Sequence, residues 1–383
     1  MLRIFCAHLK KVNKLSSPLL FLLITSFTFA QSARINGIIT DAETGETLIG
    51  ANVFIRDTGQ GMATDLNGYY VLDNLGPDAK TLVVSFLGFE QYEKILFLEE
   101  GKTQKIDIAL KTEIIELDEI NVSAEKATRQ FNIQPGRVNL STRQIKAVPS
   151  ILEPDIFRTI QALPGVLTQS EFSTGLIIRG GNTDQNLILL DGITVYNPSH
   201  LGGVFSNFIV DAVKNAELIK GGYNAEYGGR LSAVLNVTSR EGNRNKFDAK
   251  MNISILSAQA TFEGPIPNGA WLISGRRTYF DKVLENSDFN VPPYYFYDLQ
   301  GHIFTDLSAK DRLSISFYKG LDDFNYDDIG IDTYWGNETF SLAYRRIFND
   351  LLVGNFLLAS SRFFTYFNLG GESGLVQDNT IQD

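Results

Sequence analysis

Between Gly175 and Gly242 short aliphatic runs alternate with glycine pairs, and this punctuation constrains the fold more than any other feature of the chain. Leu176–Ile178, Leu187–Leu190 and Ala233–Val237 are too closely spaced to be helices, and Gly180-Gly181, Asp191-Gly192, Gly221-Gly222 and Gly228-Gly229 separate them. Such pairs mark tight turns, where the backbone needs a positive φ that a Cβ makes costly. A small sheet with sharp turns follows.

The first 30 residues read as a secretion signal. Arg3, Lys10, Lys11 and Lys14 form a basic stretch, Leu15–Phe29 an apolar core, and Thr28-Phe29-Ala30 a small-residue cleavage site. A cytoplasmic anchor is the alternative. The single cysteine, Cys6, lies in this leader, which removes disulfide scaffolds, cysteine-based zinc sites and thiol catalysis from the mature chain. His8 is also in the leader, so only His200 and His302 remain, too few for a multi-histidine metal centre. Taking the leader's four cations from the 34 basic residues, against 44 acidic ones, leaves a net charge of −14. That sign excludes a phosphate backbone as partner, so no nucleic acid is expected. No later segment has the roughly 20 unbroken apolar residues of a membrane helix, so any membrane insertion must use a barrel.

Taken in order, Arg34–Thr40, Ala51–Arg56, Gly68–Leu72, Thr81–Phe86, Lys94–Leu98 and Gln104–Leu110 read as short strands. With turns at Asp41–Gly45, Asp65–Gly68 and Asn74–Asp78, they predict a small β-sandwich. Asp65-x-Asn67-Gly68 lacks the further oxygen ligands of a calcium loop and reads as a plain turn. From Glu113 to Gln134 the composition becomes charged and polar, as in a linker, around one β-prone stretch, 117–124. Ser141–Pro149 and Pro154–Leu163 predict two short helices ending at Pro164-Gly165, with Ile156, Ile160 and Leu163 on one core face.

After Gly242 the period becomes two. Met251 and Ile253 alternate with Lys250 and Asn252; Leu299 and Ile303 with Asp298, Gln300 and His302; Ile315 and Phe317 with Ser316 and Tyr318; Phe340 and Leu342 with Ser341 and Ala343. One apolar face with aromatics and one polar face is the pattern of a membrane barrel, although a half-buried soluble sheet alternates in the same way.

Several motifs, in order, resemble a known family. Arg179-Gly180-Gly181, Leu190-Asp191-Gly192, Lys220-Gly221-Gly222 and Ala225-Glu226-Tyr227-Gly228-Gly229-Arg230 resemble the plug domain of TonB-dependent outer-membrane receptors, and Asp155–Val166 resembles its first block. Gly37–Asp41, Gly50–Val53 and Ala63–Tyr70 resemble the transthyretin-type, carboxypeptidase-regulatory-like domain that receptors of the Bacteroidetes group carry ahead of the plug. Gly264-Pro265-Ile266-Pro267 resembles the first barrel turn of that group.

The resemblance implies a mainly β chain with an α+β plug. Its parts are a leader (1–30), a β-sandwich (31–112), a linker (113–137), the plug (138–242) and the first strands of an antiparallel transmembrane β-barrel (243–383). It implies the periplasmic protein TonB as a partner, bound by strand addition through a box whose candidate is Leu117, Asp118, Glu119, Ile120, Asn121, Val122, Ser123 and Ala124. A last strand of the sandwich, or an inert linker, is the other reading of that stretch. Outer-membrane lipid would surround the wall, a surface lipoprotein could act as a lid, and neither cofactor nor metal is called for. Arg179 and Arg230 would pair with carboxylates on the inner wall, Glu226–Gly229 would set a turn against it, Asp191-Gly192 would make a turn, and His200 would sit in a loop after Asn197-Pro198, with ligand contact the alternative for both arginines and for His200. The Val-Thr-Gly-Tyr-Gly ending of the starch-utilisation type of receptor does not follow the candidate box. Plugged transporters have about 22 strands of roughly 10 residues. The 140 residues from Arg244 suffice for about seven, so the sequence reads as an N-terminal piece of a longer receptor or a truncated product.

Three function classes follow. The first is energy-coupled import of a scarce solute, such as a siderophore, cobalamin, an oligosaccharide or a peptide. The second is a surface-anchored binding or adhesion protein that uses the sandwich. The third, an enzyme, finds no support: there is no H-x-x-E ligand set, no G-x-S-x-G elbow and no phosphate loop.

Overall fold

The computed structural model describes residues 32–113, 136–149, 153–170, 172–279, 281–282, 293–326, 330–349, 352–370 and 375–383. The expected leader and the candidate box at 117–124 lie outside them.

The N-terminal module is a two-sheet sandwich. β1 (Ala33–Asp41) pairs antiparallel with β4 (Tyr69–Leu75) and parallel with β7 (Thr103–Lys105) and β8 (Ile108–Leu110). The facing sheet runs β3 (Gly61–Ala63), β2 (Asn52–Ile55), β5 (Ala79–Ser85), β6 (Tyr92–Phe97). Between them Ile35, Ile39, Val53, Ile55, Tyr70, Leu82 and Val84 are fully buried, each aliphatic side chain contributing roughly 1.5–3 kcal/mol. The single strand expected at 104–110 is two. At its midpoint it crosses Gly37 so closely that a Cβ there would lie 1.8 Å from the Ile106 carbonyl oxygen. The crossing moves the ladder from Arg34–Asn36 to Ile39–Asp41, while Asp107 accepts from the Ile38 amide at 3.0 Å. Asp65 accepts from the amides of Asn67 (2.8 Å) and Tyr69 (2.9 Å), a side-chain-closed turn.

The plug is built on a five-stranded mixed sheet, β13 (Ile193–Thr194), β12 (Asn186–Leu190), β17 (Ala233–Ser239), β16 (Val213–Ile219), β9 (Arg137–Ser141), in which only β12 and β17 run parallel. Two hairpins complete it, β10 (Val166–Thr168) with β11 (Leu176–Ile178) and β14 (Ser199–His200) with β15 (Phe205–Ser206). Helix α1 (Thr142–Ala147) starts in a reciprocal Ser141/Gln144 cap, and α2 (Ile156–Gln161) starts on Asp155, whose carboxylate accepts from the Arg158 amide at 3.1 Å. Ile156 and Ile160, one turn apart, enter the plug core with Phe157, Ile188, Leu190 and Val237. The Asp191-Gly192 turn has both residues at positive φ (52° and 81°), as a two-residue hairpin between paired Leu190 and Ile193 requires.

The rest of the chain is an antiparallel, neighbour-to-neighbour sheet of eight strands, one more than expected: β18 (Asp248–Ile253), β19 (Ser257–Ile266), β20 (Gly269–Thr278), β21 (Tyr294–Ser308), β22 (Asp311–Tyr326), β23 (Ile331–Asn349), β24 (Leu352–Leu369) and β25 (Leu375–Gln382). Residues opposite one another share a face, so rungs can be read across this wall. Thr261, Ser274, Gln300, Tyr318, Thr339 and Ser361 form one rung, buried against the plug. The next rung, with Ile273, Phe317 and Phe340, faces away and is exposed. At one end the strands are joined by two-residue turns at 267–268 and 309–310. The opposite, long-connection end is where β20 ends at Thr278 and β21 begins at Tyr294, 15 residues of sequence lying between them. The sandwich sits at the two-residue-turn end.

Candidate functional site

The plug is held to the wall at two buried polar clusters. The first lies towards the long-connection end. The β14–β15 hairpin pushes His200, fully buried, between two wall carboxylates: Nε2 meets Asp298 Oδ1 at 2.9 Å and Nδ1 meets Asp322 Oδ2 at 2.6 Å. An imidazole with a carboxylate at each nitrogen can donate at both only when protonated. Burial opposes the charged ring, but Asp298 and Asp322 outweigh it and hold the His200 pKa above its usual value. The ring stacks on Phe296 at 4.1 Å, almost parallel.

Arg276 completes the cluster. It donates through Nε and Nη2 to Asp298 Oδ2 (2.9 and 2.6 Å), through Nη1 to Glu153 (2.6 Å) and through Nη2 to the Ser206 carbonyl (2.6 Å). The Tyr318 hydroxyl donates to Asp298 at 2.8 Å, Ser257 donates to Glu153 at 2.8 Å, and Asp322 accepts from the Leu201 amide at 2.9 Å and from the Tyr294 hydroxyl. Leu201, at φ 49°, stands in the left-handed region although it is not glycine, so the hairpin accepts backbone strain to make this contact. Beside the cluster, a cavity of about 270 Å³ between plug and wall is lined by Lys146, Phe208, Asp211, Asn252, Gln259 and Arg276.

The second cluster lies at the two-residue-turn end, where the plug runs into the wall. Arg240 donates to wall Glu263 through both terminal nitrogens (3.0 and 2.7 Å) and to sandwich Glu46 through Nε and Nη2 (3.1 and 3.0 Å). Glu46 also accepts from the amides of Glu241 (2.7 Å) and Gly242 (3.1 Å). Glu241 is met by Arg312 at 3.1 Å, Lys214 at 3.5 Å and the Thr47 hydroxyl at 3.0 Å. Burial would raise its carboxyl pKa, but Lys214 and Arg312 hold it well below the ordinary carboxylate range. A third tie runs through the Asp191-Gly192 turn, where Asp191 accepts from the Ser239 amide (2.7 Å) and hydroxyl (2.6 Å), and wall Gln300 donates to that hydroxyl at 2.8 Å.

The other motif residues stand away from these clusters. Arg179 is exposed, at φ 50°, with its guanidinium against Gly221; neither it nor Arg230, which donates to the Gly229 carbonyl at 3.0 Å, meets a wall carboxylate among the described residues. Among the described residues, Arg240, Arg276 and Arg312 join His200 in pairing with carboxylates at the plug–wall boundary. Gly181 leaves room for Ser232, whose hydroxyl donates to the Ile178 carbonyl at 2.7 Å. Gly222, Gly228 and Gly229 have open space where a side chain would stand, and Glu226 is exposed. Tyr227 packs on Leu187, Leu189, Ile219 and Val234 of the plug's own sheet rather than on the wall, because those side chains cover the sheet face turned away from the helices. His200, expected in a loop, is the buried centre of the first cluster. Charged residues at positions that alternate with the wall's apolar face, such as Asp298, were the available signal.

The chain resembles known proteins along these same parts. A family model described as the CarboxypepD_reg-like domain matches residues 35–122, and one described as the TonB-dependent Receptor Plug Domain matches residues 139–234. TonB-dependent receptor P26 of Formosa agariphila is 29% identical over 52% of this chain and 20% of that protein. TonB-dependent receptor SusC of Bacteroides thetaiotaomicron is 26% identical over 61% of this chain and 24% of that protein. The solved outer membrane transporter YddB from Escherichia coli aligns with a TM-score of 0.47 at 13% identity, covering 64% of this chain and 43% of the other. The chain thus spans about a quarter or less of the length of the curated relatives it matches.

Proposed function

Because this chain belongs to the TonB-dependent receptors, with a carboxypeptidase-regulatory-like domain ahead of its plug, we propose that the protein of which it is part imports a scarce solute across the outer membrane. The cargo classes open to it are a siderophore, cobalamin, an oligosaccharide or a peptide. One observation carries the reading: a two-faced wall, apolar outside and polar inside, packed around a plug that is tied to it mainly through hydrogen bonds and ion pairs. The outward rungs suit lipid. The inward ties suit a plug that must stay put at rest and still be displaced, since each is replaceable by water once it opens.

In this reading TonB, driven by proton motive force, adds a strand to Leu117–Ala124 and pulls, which spreads load over several backbone hydrogen bonds. No covalent chemistry is asked of the receptor. Deleting Leu117–Ala124 from the full-length gene tests it. With ferric siderophore, cyanocobalamin, maltooligosaccharide and peptide mixtures as probes, uptake of the accepted probe should fall to background while binding at the cell surface persists. Uptake that survives the deletion defeats the mechanism.

A further inference from the structure

The sandwich and the plug do not share a hydrophobic core. Among the described residues the sandwich cluster is built only from residues 33–110 and the plug cluster from residues 138–318, and the two clusters share no buried apolar residue. By contrast, plug and wall do share apolar contacts, through Ile209, Ala212 and Leu272 and through Tyr318. What holds the sandwich is polar and short: Glu46 on Arg240 and on two amides, Thr47 between Glu241 and Lys214, the Arg244 amide on the Thr44 carbonyl at 2.8 Å, Asn245 on the Glu43 carbonyl at 2.9 Å, and Arg143 of α1 on the Gly88 carbonyl at 3.1 Å. A polar interface between modules with separate cores can open without either unfolding.

The charges are also arranged for release. Were Glu46 withdrawn, Arg240 would keep both hydrogen bonds to Glu263, and Glu241 would keep Arg312 and Lys214. Neither buried charge is stranded, so undocking avoids the penalty that normally makes such a contact permanent. Glu46 itself passes to water.

We propose that the sandwich is a releasable latch, in which Glu46 pins residues 240–242, the segment where the plug joins the wall, and so holds the plug against the wall until the sandwich undocks. Its consequence for import rests on the transport reading above, but its test does not. The latch acts on the plug's exit, where Glu46 removes the free amides of Glu241 and Gly242 and adds a third domain to the Arg240–Glu263 pair.

Hydrogen exchange on the purified full-length receptor reads this directly. In Glu46→Gln the charge-assisted contacts become ordinary ones, so the amides of Glu241 and Gly242 should exchange about tenfold faster. Amides of the sandwich core at Val53 and Leu82, and of β17 at Leu235, should keep their original rates. A second variant clamps the latch. A Cβ on Gly45 would stand 3.1 Å from the Arg244 Cβ, and at φ 76° it carries backbone strain that the single-cysteine control isolates. A small shift brings the pair to the roughly 3.5–4.5 Å of a disulfide. Oxidised Gly45→Cys/Arg244→Cys should slow the Glu241 and Gly242 amides below the parent rate, and reduction should restore them, with each single cysteine variant as control. Unchanged 241–242 amides in Glu46→Gln, or acceleration shared by the sandwich core, would overturn the proposal. Loss of the uptake result with this pattern intact would instead count against the transport reading alone.

Discussion

Replacing Arg276 by glutamine should loosen the plug at its long-connection end more than any other single change in that cluster. Arg276 is 4% exposed and makes four hydrogen bonds, two to Asp298, one to Glu153 and one to the Ser206 carbonyl. Glutamine retains a donor but no charge. Asp298 would still have His200 and Tyr318, and Glu153 would still have Ser257, yet one buried positive charge would be gone from a group of three carboxylates. Breaking a buried pair by removing one partner costs about 3–5 kcal/mol. At about 1.4 kcal/mol per tenfold, local opening becomes roughly one hundred to a few thousand times more frequent.

The amide of Leu201, held by Asp322 at 2.9 Å, reports that opening. Its protection in the full-length receptor should fall by that factor, while amides of β12, inside the plug core, hold theirs. The double variant Arg276→Gln/Asp298→Asn should recover part of the loss, since removing one of the three carboxylates offsets the positive charge lost with Arg276. A Leu201 amide within threefold of the parent, or strictly additive effects in the double variant, would refute the idea that the plug hangs on this charge cluster.

Two further outcomes can be checked with similar means. His200 has its pKa raised in the folded protein. Its stabilising contribution is therefore complete below the unfolded value of about 6.5 and is lost as pH rises through the raised value. Protection of the Leu201 amide, corrected for intrinsic exchange, should be greater at about pH 6 than at about pH 9, and His200→Gln should flatten the difference. A profile that rises with pH would contradict the assignment. On the outward face, Phe340 is 49% exposed between Phe317 and Ser360. Phe340→Arg should cost about 2–4 kcal/mol in a urea titration of the receptor in lipid, and no change there would mean that this rung does not meet the bilayer.

In the import reading proposed above, in which the plug must be displaced, the physics of the two clusters accounts for a plug tied with charges rather than with a continuous apolar seam. An apolar interface of this extent would resist being pulled open everywhere at once. Ion pairs and hydrogen bonds can be exchanged for water one at a time, and the desolvation already suffered at rest offsets much of their attraction. The stacked His200–Phe296 pair and the small Ile209, Ala212, Leu272 contact add grip without closing that route.

The amino-acid sequence by itself determined whatever depends on neighbours a few residues away. Asp191-Gly192 had to be a tight turn because two successive positive φ angles favour that dipeptide, and the helices at 142–147 and 156–161 begin at Ser141 and Asp155, residues whose side chains close the first turn. The period of two after Gly242 divides the wall into two faces, and sandwich and plug can be told apart by composition and turns. Tertiary structure alone decided which charges meet. His200 and Asp298 are 98 residues apart, and Arg240 and Glu46 are 194 apart. Alternation says that Asp298 faces inward, but which plug residue arrives opposite it depends on how the plug seats in the wall. The same holds for the split at 103–110, permitted by the missing side chain of Gly37 far earlier in the chain. Backbone preference acts over a few residues, whereas a buried charge is placed by whatever distant partner offsets its desolvation.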